Sequence, residues 1–203
     1  MQKENIQETV KRIKRGFSLQ MNGVASCSMR DKGVVNYLNW GIQLPVLRKL
    51  AEEFGKDYEL AIALWKENVR ECKILATLIM PAEQMDGEMM SLWLEQTETQ
   101  EIAEYAAFNL YQYVSDASIF GFMCIASEKP LAQICGYNLL SCLFRKGAQP
   151  SDRDINEFID QAVAALKDKS SGVRHAAMNC LNTFAEMGEL QASIVDSALK
   201  RCM

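Results

Sequence analysis

Histidine is almost missing from this 203-residue chain: His175 is the only one. A zinc site would have to draw on cysteine and carboxylate, and none of the seven cysteines stands in a Cys-x-x-Cys pair. A histidine-centred nucleophilic triad has one possible centre, and Arg174-His175 offers no nucleophile nearby in sequence. No phosphate loop, nucleophile elbow or His-Glu-x-x-His motif occurs. The expectation is a protein without metal and without cofactor. An odd cysteine count in a chain this large also argues against a disulfide framework. Cys72, Cys135, Cys142 and Cys180 fall on apolar helix faces and read as small buried hydrophobes.

Long apolar runs are lacking too. The longest uncharged one, residues 119–126, is far short of the roughly 20 residues of a membrane span. The first residues, MQKENIQETVKRIKR, are charged and carry no apolar signal core, so a cytoplasmic location is expected. Positive charge is missing from the middle of the chain. Residues 74–128 hold no Lys or Arg but nine acids, whereas residues 1–32 hold seven bases against three acids. A phosphate backbone is gripped through Lys and Arg, and the middle of this chain offers it none.

What is present is helical periodicity. No stretch shows sustained alternation of period two. Hydrophobic residues make up 49% of the chain, enough for a continuous core in a single domain over residues 1–203. Four stretches (69–79, 102–110, 131–140 and 173–184) repeat one pattern around a small residue: Ala76, Ala106, Gly136 and Ala177. Self-similarity at such a period marks stacked helix pairs, with small residues where helices cross closely. Helices are expected over residues 3–20, 29–38, 45–54, 57–67, 69–80, 83–95, 98–114, 116–127, 130–146, 152–168, 171–187 and 189–202. Asp57 and the Ser151/Asp154 pair serve as caps, and Gly55, Pro81, Gly147 and Gly188 as stops. The expected fold is all-α, a HEAT-like or ARM-like α-α superhelix of about twelve helices with a concave binding surface.

One segment is more specific. Tyr37-Leu38-Asn39-Trp40-Gly41-Ile42-Gln43-Leu44-Pro45-Val46-Leu47-Arg48-Lys49-Leu50-Ala51 resembles the signature of the DNA alkylation repair family, the AlkD-like glycosylases. Ala61-Ile62-Ala63-Leu64-Trp65, with Glu71 and Leu75-Ala76 after it, resembles that family's next block. The resemblance implies a curved HEAT-like stack that cradles duplex DNA. It also implies, in active members, metal-independent hydrolysis of the glycosidic bond of cationic alkylated purines. Those members place a Trp four residues before an Asp on a central inner helix, an Arg on a later inner helix and a second Trp on the one after. A carboxylate can stabilise the cationic sugar of the transition state, and aromatic faces favour a cationic base.

This chain departs from that set. Aligned on Ala106, the first Trp and the Asp fall on Thr99 and Ala103; shifted by one, on Gln100 and Glu104. The Arg position falls near Ile134 and the second Trp near Asn179. Trp65 matches a family core position, and Trp40 reads as core or rim. Glu104 is thus the one candidate catalytic carboxylate, with Gln100, Tyr105 and Asn179 on the concave surface.

Three readings follow. The chain engages duplex DNA through Lys11, Arg12, Lys14, Arg15, Arg48, Lys49, Lys73, Arg145, Lys146 and Arg174. Or it is a scaffold whose acidic concave middle, with Tyr105, Tyr111 and Tyr113, receives a basic or helical protein segment. Or it is a hydrolase built on Glu104. Arg174 also reads as a structural bond toward the neighbouring repeat. The balance of residue types favours binding over catalysis.

Overall fold

The computed structural model describes residues 5–31 and 34–201. The chain forms two compact units, Met1–Met85 and Asp86–Met203. Among the described residues all regular structure is helical, apart from one isolated bridge between Leu38 and Val69.

The first unit holds α1 (Ile6–Leu19), α2 (Gly23–Asp31), α3 (Leu44–Phe54), α4 (Tyr58–Trp65) and α5 (Arg70–Ile79), then a 3-10 turn at Ala82–Gln84. The periodicity of α1 buries Val10, Ile13 and Phe17 and leaves a basic face outside. α1 packs on α4, and α5 packs on both α3 and α4. Pro45 lies in the first turn of α3, and Gly55 ends that helix with φ +68°. Asp57 caps α4 by accepting from the Leu60 amide at 2.9 Å.

The helix expected over 29–38 is corrected by the structure. Asn22 caps α2 through its side chain, accepting from the Ala25 amide, so the helix starts at Gly23 and its last described residue is Asp31. Leu38 is drawn into extended backbone by pairing with the turn before α5: its amide donates to Asn68, and its carbonyl accepts from Arg70. Of the expected helix, Lys32 and Gly33 lie outside the described residues, as do Lys3 of the first helix and Cys202 of the last.

The second unit holds α6 (Gly87–Glu95), α7 (Gln100–Asn109), α8 (Ala117–Ile125), α9 (Pro130–Arg145), α10 (Asp152–Ala165), α11 (Ser171–Ala185) and α12 (Glu189–Lys200), with a 3-10 turn at Tyr111–Tyr113. α9 sits between α7 and α11 in one layer; α6, α8 and α10 form the other. Alternating pairs of this kind are the HEAT-like arrangement. Ser151 and Asp154 form the expected capping box on α10, and Gly147 closes α9 with φ +81°. Phe144, Phe158 and Phe184 meet with ring centroids 5.2–5.3 Å apart in the core.

The small residues of the repeat are buried, as the pattern requires. Gly136 shows why. A Cβ there would stand 2.7 Å from Cys124 Cβ and 2.9 Å from the Gly121 carbonyl oxygen on α8. Gly136→Val is therefore expected to destabilise the protein by about 2–3 kcal/mol through overpacking against backbone. Urea denaturation of the variant checks this, and unchanged stability would mean that α8 and α9 can separate freely.

Candidate functional site

α7 places the side chains of the two registers differently. Thr99 is buried as the cap of α7, where its hydroxyl accepts from the Ile102 amide. Ala103 is fully buried. Gln100 and Glu104 instead point outward, one exposed and one half-buried, and the Gln100 side-chain amide donates to Glu104 Oε1 at 2.8 Å. Only the second register puts both side chains where a ligand could meet them.

Three helices converge beside this pair. A Cβ on Gly172, at the start of α11, would lie 2.5 Å from Gln100 Oε1 and 3.0 Å from Ile134 Cδ1 of α9. Gly172 thus makes room for the Gln100 amide. Ile134, near which the family's Arg was expected to fall, is buried and brings no charge. Asn179 is exposed on α11, and Tyr105 is half-buried on α7. The unit's tryptophan, Trp93, is core at 2% exposure and offers no indole face to solvent. Arg174 turns back on its own repeat: its guanidinium donates to the carbonyls of Asp168 and Lys169 at 2.7 and 2.9 Å. The bond expected toward the neighbouring repeat is not what the structure shows, because those loop carbonyls lie within reach at the helix start.

The cations gather differently from expectation. Lys11, Arg12 and Arg15 are exposed on α1, and Arg48 and Lys49 on α3. Arg12 and Lys49 line one groove of about 330 Å³ between these helices, floored by Ile13, Phe17 and Ile42. Lys14 is tied to Glu67 at 2.6 Å. Lys73 leaves the set: it is 7% exposed, donates to the Trp65 carbonyl and sits 4.6 Å from the centroid of the Trp65 ring. Packing of the ammonium on aromatic faces keeps it inside the first unit. Arg145 and Lys146 are exposed, with the Lys146 ammonium 3.8 Å from the Tyr113 ring centroid. Tyr111 is fully buried and offers no surface to a partner.

The segment that carries the family signature is a structural clamp. Gly41 has φ +72°, and a Cβ there would meet the Asn22 carbonyl oxygen at 2.4 Å and the Ser26 nitrogen at 2.6 Å. Glu71 Oε1, at the start of α5, accepts from the amides of Trp40 and Ile42 at 3.1 and 3.2 Å and from Arg70 Nη1 at 3.2 Å. Arg70 Nη1 also donates to the Ile42 carbonyl at 3.0 Å. The Trp40 ring lies 5.8 Å from that of Phe17. Sequence reasoning quoted Glu71 as a motif letter and missed its task. Its neighbour Arg70, an adjacent opposite charge at a helix start, was the available signal.

Among the described residues no three His, Cys, Asp or Glu side chains come together as a metal would need, and no helix is long and apolar enough to cross a membrane. Cys72, Cys124, Cys135, Cys142 and Cys180 are buried, and Cys27 is exposed. Burial pushes the Cys124 and Cys180 thiols up to about 12, and raises those of Cys72 and Cys135 as well. The nucleophile is the thiolate. In a Cys202→Ser background, native protein is expected to react with Ellman's reagent at one thiol, and Cys27→Ser should abolish that fast phase.

With this geometry in place, comparison with known proteins is direct. The profile of the family described as "DNA alkylation repair enzyme" matches residues 26–200. No curated protein matches the sequence. A solved structure described as "A new family of proteins related to the HEAT-like repeat DNA glycosylases with affinity for branched DNA structures" superposes with a TM-score of 0.81. The match covers 95% of this chain and 82% of that one, at 14% sequence identity, which makes it a likeness of fold. The clamp around Gly41 and the paired helices both fall inside the matched span, and the chain belongs to the DNA alkylation repair family.

Proposed function

We propose that this chain binds DNA through the cationic face of α1 and α3, and that it does so without excising bases. The observation that carries the reading is the set of Lys11, Arg12, Arg15, Arg48 and Lys49, all exposed on α1 and α3, with Arg12 and Lys49 lining one groove between these helices. Phosphates are bound by such cations with release of counterions. Family membership supports DNA as the polyanion, and the affinity of the structural neighbour for branched DNA suggests duplexes with branch points as the preferred form. Against excision stands the surface around Glu104. It has a carboxylate hydrogen-bonded to Gln100, but no indole to stack a cationic base and no arginine at Ile134. Fold alone does not supply the missing groups.

The test is binding of a labelled four-way junction and of a linear duplex with the same arms. About three phosphate contacts predict a salt slope near −2.7, or roughly a 40-fold loss of affinity between 50 and 200 mM salt. The charge reversal K11E/R15E/K49E should weaken binding at least tenfold at low salt while leaving the melting temperature in place. Affinity indifferent to salt, or to the triple variant, would sink the proposal. Methylated DNA should release no free base. Release that disappears in Glu104→Gln would instead make Glu104 the catalytic carboxylate.

A further inference from the structure

The α6–α8–α10 layer of the second unit has a face that the DNA-binding proposal leaves unused. On α8, Ile119 and Met123 stand one turn apart, 76% and 54% exposed; on α6, the half-buried Leu94 lines the same surface. Two adjoining hollows of about 490 and 590 Å³ run across these helices, sharing Ser91, Phe120 and Met123 in their walls. Exposed apolar side chains grouped along a groove mark an interaction site rather than ordinary surface.

The rim says what the groove accepts. Asp86, Glu88 and Glu95 are exposed along α6. Asp116 lies at the start of α8 and accepts from the Gly87 amide at 3.2 Å. No Lys or Arg occurs between residues 74 and 128; Lys129, which lines the first hollow, is the one cation in its walls. An apolar floor edged by acids along α6 and at the start of α8 repels phosphate and attracts cations. Its two-helix width suits a helix laid with apolar anchors at i, i+3/i+4 and i+7. We propose that the groove across α6 and α8 is a docking site for a basic amphipathic helix of a partner protein. Charge complementarity selects this occupant over nucleic acid and over acidic helices. The site lies within the second unit and is independent of the cationic face on α1 and α3.

A synthetic probe tests it: a fluorescein-labelled helix of about 18 residues with leucine on one face and lysine elsewhere. A matched peptide with glutamate in place of lysine is the counter-probe. Full-length protein should bind the lysine peptide at least tenfold more tightly than the glutamate peptide. I119K/M123K, which removes the anchoring floor, and E88K/E95K, which reverses the rim, should each weaken it at least tenfold. E157K/D160K makes the same change of net charge at exposed sites on α10 and should alter affinity by less than twofold. Equal binding of the two peptides, or an equal loss in E157K/D160K, overturns the proposal, since attraction would then be to overall charge. It is also overturned if I119K/M123K dissolves a self-association seen by sedimentation while peptide affinity stays, since a second copy would then fill the groove.

Discussion

Gly41→Ala is expected to destabilise the Met1–Met85 unit by several kcal/mol. Two causes add. The residue sits at φ +72°, where an L side chain is strained by about 1–2 kcal/mol. Its Cβ would also stand 2.4 Å from the Asn22 carbonyl oxygen and 2.6 Å from the Ser26 nitrogen. Both are backbone atoms, and both belong to the capped start of α2, where Ser26 donates its amide to the Asn22 carbonyl and its hydroxyl to the Asn39 carbonyl. The loop can yield only by breaking those bonds, so overpacking contributes a further 1–3 kcal/mol or so. Against a total stability of about 5–15 kcal/mol the loss is large. Gly147 separates the causes. It has φ +81° but no atom within 4 Å of an added Cβ, so Gly147→Ala should show the conformational part alone. Chemical denaturation of both variants, with hydrogen exchange on α2 and α3, measures the difference. Equal losses at the two glycines would mean that the close approach at Gly41 relaxes at no cost.

That glycine also shows what the sequence does and does not reveal. Helix ends were legible wherever the signal is local. Asp57, the Ser151/Asp154 box, Gly55 and Gly147 act within a few residues of the backbone groups they satisfy, and each lies where its chemistry places it. The repeat was legible too, because small residues at Ala106, Gly136 and Ala177 record the close crossing of helices. The segment 29–38 was not, because its conformation is set from afar: Leu38 pairs with the turn at Asn68, and Trp40 with Glu71. Lys73 misled for a related reason. A lysine in a sequence reads as surface charge, and only the packed position of the Trp65 ring shows the ammonium buried against it. The register on α7 needed coordinates as well. Alignment on Ala106 left Thr99/Ala103 and Gln100/Glu104 both open, and only the packing of α7 shows that the first pair is buried.

The second large effect lies in the same clamp. Glu71→Ala is expected to lower stability by about 3–5 kcal/mol, the loss typical of removing one partner of a buried ion pair. Glu71 is fully buried and Arg70 is 2% exposed. Deleting the carboxylate leaves the Trp40 and Ile42 amides without their acceptor and takes the Glu71 charge away from the guanidinium. Glu71→Gln keeps an oxygen for the amides but not the charge, so its loss should be about half as large. Replacing both ions by apolar residues in R70M/E71L removes the desolvation cost of both buried charges, and that double variant should be more stable than Glu71→Ala alone. The coupling read from the cycle of R70M, E71L and R70M/E71L should be about 1–3 kcal/mol. The clamp also bears on binding, because Ile42 lines the groove that holds Arg12 and Lys49, and α3 begins two residues later. Glu71→Ala should therefore weaken DNA binding as well as folding, although residue 71 is buried and touches no ligand. If it loses stability with full DNA affinity in the remaining folded fraction, the groove between α1 and α3 does not depend on the clamp, and the two properties of the first unit are separable.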